Sequence, residues 1–446
     1  STTRMKIEQL YTNCLAQAAY YVESDGEVAV IDPIRDYDHY IHKAAEEGHR
    51  IKYIIETHFH ADFVSGHVDL AKKTGAEIIY GPGANTTYGV RHVNDGEQLP
   101  LGKITLTALH TPGHTPESTC FLLKDENGKE HALFSGDTLF VGDVGRPDLL
   151  ESGGKYTGEM LAGMMYDSLR NKILPLPDHV LLYPAHGAGS SCGKNLGPET
   201  WSTIGEQKEN NYALQDMSRE DFIKALLDGI APPPSYFAEN ARINKTGYPS
   251  LSNVLKEGTR ALSVQDFEQS ISSGALVIDS RDPLDFERGF IPGSINIGLN
   301  GQYAIWAATL FSLDRKIILV CDHGKEEESV TRLARVGFDQ IAGVLDGGYP
   351  SWEKAGKTVD MIVSVDAYEL GLDLKHDKAA KVIDVRKVSE YENGHVKDAQ
   401  LIPLSDLENR KDELDAETDY YIHCAGGYRS VIAASILKAS GYHRIK

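Results

Sequence analysis

The chain is predicted to be an α/β protein of about three domains, on three observations. Its 446 residues, 41% of them hydrophobic, supply about three cores of ordinary size. In the first half, short apolar runs end in histidine and aspartate motifs, as strands of a rigid sheet would present them. In the second half, a pattern of short strands and helices occurs twice, offset by roughly 105 residues, which indicates duplication of a small parallel-sheet domain.

The apolar runs at 53–55, 104–109, 132–134 and 180–183 read as strands. Each leads into groups able to hold a metal: Thr57-His58-Phe59-His60-Ala61-Asp62-Phe63, His110-Thr-Pro-Gly-His114, Ser135-Gly-Asp137 and Tyr183-Pro-Ala-His186. A lone histidine is more often a core or surface residue, but four such motifs in series form a metal constellation. Their order resembles the metallo-β-lactamase superfamily, whose T-H-x-H-x-D-H signature is matched until Phe63 replaces the final histidine. A phenyl ring cannot donate an electron pair, so the second metal of that superfamily is expected to be missing.

The first 200 residues further resemble the persulfide dioxygenases of that superfamily. The resemblance implies an αββα sandwich with one non-heme Fe(2+) per chain on His58, His114 and Asp137, and no organic cofactor. It places His60, Asp62 and His186 around those ligands, orienting them. It implies oxidation of a small thiol persulfide (of glutathione, cysteine, coenzyme A or similar) by O2 to sulfite. Within Gly142-Asp-Val-Gly145-Arg146-Pro-Asp148, Arg146 is expected to pair with a substrate carboxylate, the alternative being an ion pair with Asp143 or Asp148. Cys192, in a glycine-rich loop just past His186 and beside Lys194, is expected at the exposed rim of the site. There it serves either as a sulfur relay or as a surface cysteine with no role.

Residues 216–228 read as a helix closing this first domain, assigned to 1–231. Pro232-Pro233-Pro234 and the polar stretch to Gly247-Tyr-Pro249 read as an extended connector, giving a linker at 232–254.

The repeat then occupies 255–360 and 361–446. Val277-Ile-Asp279-Ser-Arg281 matches Val382-Ile-Asp384-Val-Arg386, and Phe286-Glu-Arg-Gly289 matches Tyr391-Glu-Asn-Gly394. Ile317-Ile-Leu-Val-Cys321 matches Tyr420-Tyr-Ile-His-Cys424, so each copy carries a cysteine at a strand end. Both copies resemble rhodaneses, which are single-cysteine sulfurtransferases. Leu345-Asp-Gly-Gly-Tyr-Pro-Ser-Trp352 closes the first copy in the family's manner, whereas the second is expected to be truncated at Lys446.

In the second copy, Cys424-Ala-Gly-Gly-Tyr-Arg429-Ser430 is a loop of small residues ahead of a helix. Its backbone amides, the helix end and Arg429 are expected to stabilise a nucleophilic thiolate. The first copy has Cys321-Asp-His-Gly-Lys-Glu326-Glu-Glu, with no arginine and with acidic residues at the helix start, and is expected to be inactive. Cys14 and Cys120 lie in apolar, strand-like stretches and read as core residues.

The formal charge of −20 argues against nucleic acid and anionic membrane as partners. Few, widely spaced cysteines and a polar N-terminus lead to the expectation of a reduced, cytoplasmic protein; a homo-oligomer is expected as well. Sulfide detoxification is the function that the two resemblances imply together. Two rival readings are a glyoxalase II-like thioester hydrolase and a sulfur-carrier protein that passes rhodanese persulfide to partners.

Overall fold

The computed structural model describes residues 5–147 and 155–446 and divides into two compact units at Leu251. Two six-stranded sheets make up the first unit. One runs in chain order from Lys6–Thr12 to Arg91–His92, antiparallel across its first three strands and parallel thereafter. The other runs from Gln98–Leu101 to Ser202–Thr203, antiparallel except where Glu130–Gly136 pairs in parallel with Leu181–Pro184. Alternate residues of both sheets, among them Tyr20, Ile31, Tyr53, Phe121 and Phe134, bury each other in one core. The opposite face of the second sheet, with Cys120, Leu122 and Leu133, is covered by helices Gly158–Ser168 and Arg219–Leu227. Helices Asp38–Glu47 and His67–Thr74 accompany the first sheet, completing helix–sheet–sheet–helix layers.

Each predicted strand is present, with the metal-type motifs at strand ends: Arg50–Ile55, Ile104–His110, Glu130–Gly136 and Leu181–Pro184. Cys120 is buried as expected, but Cys14 sits half-buried in a 3-10 turn, Asn13–Leu15, rather than in a strand.

The stretch read as an extended connector is different in structure. Tyr236–Thr246 is a helix, because the prolines at 232–234 break only the chain ahead of it. Its Asn244 is 1% exposed; its Nδ2 donates to the carbonyls of His60 (2.8 Å) and Phe63 (2.9 Å), and its Oδ1 accepts from Ser65 N–H (2.8 Å). The helix is therefore part of the first unit's core.

Both repeats lie in the second unit. The first copy is a five-stranded parallel sheet in the order Ala261–Leu262, Ile341–Leu345, Ile317–Val320, Leu276–Asp279, Ile295–Asn296. The second has Gln400–Leu401, Lys381–Asp384 and Tyr420–His423, also parallel. Duplication extends to side chains: Arg281 forks onto Asp279 and donates to Gly289 O, and Arg386 repeats this with Asp384 and Gly394 O. No helix among the described residues is long and apolar enough to cross a membrane.

Asn244→Leu removes three buried hydrogen bonds without leaving a cavity, so unfolding in urea should show a loss of about 2–4 kcal/mol. A change within about 0.5 kcal/mol, the range of a surface substitution, would return this helix to the role of a linker.

Candidate metal centre and sulfur loops

The tautomers of two histidines define the centre. Thr57 Oγ1 donates its one proton to Asp32 Oδ2 (2.9 Å), so at 3.0 Å it accepts from His58 Nδ1. His114 Nδ1 faces the Arg146 carbonyl at 2.6 Å, and a carbonyl only accepts. Both rings therefore carry their lone pair on Nε2. Those two atoms lie 3.3 and 3.2 Å from Asp137 Oδ2, a buried oxygen with no hydrogen-bond partner. Three acceptors, on residues no more than 2% exposed, converge on one point with no proton among them. Such a donor set fits a cation and is unfavourable without one.

Backbone chemistry makes the convergence possible. Gly136 takes φ +55°, and a Cβ there would strike the Thr57 side chain; a Cβ on Gly145 would strike the Asp137 carbonyl and the His114 ring. The loops after separate strands can thus close on one another.

In the neighbouring cluster of His60, Asp62 and His186, His186 joins Asp62 to Asp137, whereas both ring nitrogens of His60 and Oδ1 of Asp62 are buried with no hydrogen-bond partner. His186 faces Asp137 Oδ1 through Nδ1 (2.7 Å) and Asp62 Oδ2 through Nε2 (2.6 Å), donating from both nitrogens. Burial alone would lower its pKa, but Asp137 and Asp62 raise it well above the usual range. For Asp137, burial pushes upward and is outweighed by His186 and His58, leaving the carboxyl well below its usual range. Phe63 is fully buried, its ring 4.5 Å from that of His60 and 6.5 Å from that of His186.

Sequence reasoning missed the residues that aim the loop. Asp32, at φ +51°, accepts from Thr57 N and lies 2.9 Å from His60 Nε2, and behind it burial and Asp32 push the Glu56 carboxyl well above its usual range. The available signal was Asp32-Pro33 at the end of the apolar run 28–31, one more acid at a strand end.

Two expectations about the rim change. Cys192 is 2% exposed, and its sulfur belongs to the same cluster as Asp137 and His186. The loop folds inward because Cys192 O accepts from Arg146 N, and Asp143 accepts from the amides of Lys194 and Asn195. Those amides, with Tyr212, occupy the Asp143 carboxylate, and the half-buried Arg146 guanidinium donates to Ala231 O instead. Asp148 lies outside the described residues.

In the second repeat, Cys424 Sγ accepts from Gly427 N–H (3.1 Å) and Ser430 N–H (3.3 Å), with Gly427 at φ +90°. The loop and the start of helix Tyr428–Ala439 form the expected anion cradle. Arg429 does not join it. Its guanidinium is forked onto Glu390 at 2.7 and 3.0 Å, and this pairing draws the Glu390 carboxyl down to about 2. In the first repeat, burial and Glu326 push the Cys321 thiol up to about 12.

Phe63→His should raise the metal content of zinc-reconstituted protein from one toward two per chain, measured by elemental analysis. An unchanged content would show that the His186 hydrogen bonds, rather than the phenyl ring, close the second position.

Residues 12–186 match the Metallo-beta-lactamase superfamily, and residues 263–355 and 367–446 each match the Rhodanese-like domain. The crystal structure of a metallo-beta-lactamase from Staphylococcus aureus is 35% identical with a TM-score of 0.67, covering 76% of this chain and 98% of its own. The mitochondrial persulfide dioxygenase ETHE1 of Mus musculus is 29% identical over 216 residues, which is 47% of this chain and 74% of that protein. The hydroxyacylglutathione hydrolase of Dictyostelium discoideum is 30% identical over 223 residues, 48% of this chain and 76% of that protein. With its two-sheet fold and strand-end histidines, the chain belongs to the metallo-β-lactamase superfamily and carries rhodanese-like domains in its C-terminal half.

Proposed function

We propose that the first unit, through Leu251, is a non-heme iron persulfide dioxygenase, and that 361–446 is an active rhodanese beside an inactive copy at 255–360. The overall change in the first domain is R–S–SH + O2 + H2O → R–SH + SO3(2−) + 2H+. The observation that carries this reading is the convergence of His58 Nε2, His114 Nε2 and Asp137 Oδ2, two histidines and one carboxylate on one face. Held by these three residues, iron would supply redox chemistry between the persulfide and dioxygen.

The chain's own groups shape the rest. Thr57 and the Arg146 carbonyl keep both ring lone pairs inward, and His186 holds Asp137 in one orientation while balancing its charge. Phe63 and Phe140, both fully buried, flank His186 and keep water off that side. Cys192 presents a thiol inside the pocket, and Arg146 is the cation for a substrate carboxylate. The half-reaction at the second repeat is Cys424–S–S(−) + SO3(2−) → Cys424–S(−) + S2O3(2−), in which the amides of Gly427 and Ser430 hold the returning thiolate.

Thioester hydrolysis is the second reading, favoured by the similarity to hydroxyacylglutathione hydrolases. Phe63 counts against the second metal that it would use. Oxygen uptake with glutathione persulfide, together with metal analysis of anaerobically prepared protein, separates the two. One iron per chain and persulfide-dependent uptake are expected; two zinc ions with S-lactoylglutathione hydrolysis would overturn the dioxygenase.

Cys424→Ser should leave oxygen uptake intact while the product shifts from thiosulfate to sulfite, with spontaneous sulfite–persulfide reaction subtracted. Cys321→Ser should change neither, because a thiol titrating near 12 stays protonated at neutral pH. Thiosulfate at the parent rate from the Cys424→Ser protein would move sulfur transfer elsewhere, and Cys192 would be tested next.

A further inference from the structure

The inactive repeat grips the sulfur loop of the active one. Tyr428 lies four residues past Cys424 and opens helix Tyr428–Ala439, between the two amides that hold the sulfur. Its hydroxyl donates to the Gly298 carbonyl of the first copy at 2.6 Å. A Cβ on Gly301 would collide with its ring, and one on Gly298 would come within 3.3 Å of it. The seat is bare backbone at both points, which leaves room for the aromatic ring.

That seat is itself braced. Arg332 of the first copy donates to Leu299 O (2.6 Å) and Gly301 O (3.0 Å), fixing the loop that receives the ring. Two further contacts fasten the same helix to the first copy: Asn296 N–H donates to Ser435 Oγ (3.1 Å), and Lys438 donates to Asp360 Oδ1 (3.3 Å). Both Asn296 and Ser435 are buried. At the position of Tyr428 the first copy has Lys325, so its own loop carries no equivalent ring.

We propose that Tyr428 is a positioning residue: seated between Gly298 and Gly301 of the inactive repeat, it keeps the Cys424 loop curled so that the Gly427 and Ser430 amides stay aimed at the sulfur. This deepens the sulfurtransferase reading of Cys424 and rests on it. It also gives the inactive copy a task its own cysteine cannot perform.

The test uses the full-length protein with glutathione persulfide and sulfite, and reads three quantities. Tyr428→Phe, which loses one hydrogen bond, should lower thiosulfate formation about threefold to tenfold. The pH profile of Cys424 alkylation by iodoacetamide, followed by peptide mass, should move to higher pH, while iron-dependent oxygen uptake stays at the parent value. Gly301→Val should give the same pattern with the tyrosine intact, and Tyr428→Ala in that background should recover part of it. Variants that only lower the unfolding midpoint, with the alkylation profile and the transfer rate per folded molecule at parent values, would overturn the proposal. The sulfurtransferase reading fails separately, if Cys424→Ser keeps making thiosulfate, and the alkylation profile then still decides whether the clamp exists.

Discussion

Asp137 carries two opposite demands on one carboxylate. Its Oδ1 accepts from His186, and its Oδ2 faces two imidazole lone pairs with no proton between them. An uncompensated buried carboxylate costs several kcal/mol, so the imidazolium of His186 and a cation beside Oδ2 together make the site tolerable. The loops, the Gly136 turn and the Asn244 helix are arranged around that balance. Were any of them displaced, the three acceptors would no longer share one point.

On the proposed one-metal reading, the same site shows what becomes of the positions a second metal would use. The second cluster keeps its histidines and aspartate, with His186 bonded to Asp62 and the His60 ring packed against Phe63. On that reading, His60, Asp62 and His186 are supports rather than ligands. A hydrogen bond to a ligand's far side sets its tautomer and basicity, so retaining these residues without a second cation is chemically reasonable.

The two repeats show how duplication separates roles. One loop keeps small residues and a sulfur held by amides; the other gains acids that, together with burial, keep its thiol protonated. Both retain the Asp–Arg fork, because it ties strand to turn independently of any chemistry at the cysteine.

Much of this was legible in the sequence. Strand-end motifs pointed to the residues that converge at Asp137, since a ligand must stand on a loop held by a sheet, and the 105-residue register exposed the duplication. Cys424 could be read because its loop is local: strand, small residues and helix are contiguous. Three features were not. Cys192 looked exposed because glycine-rich composition says nothing of which way a loop folds, and the amide bonds to Asp143 turn it inward. Arg429 looked free to serve the sulfur because its partner, Glu390, is 39 residues away in the chain. The stretch at 236–246 looked like a linker because its helix earns its place through Asn244, which reaches a loop 181 to 184 residues distant. The sequence by itself determined the fold class, the repeat and the reactive groups, all written in local pattern. Only the tertiary structure decided which groups meet, because hydrogen-bond partners far apart in the chain leave no local periodicity to read.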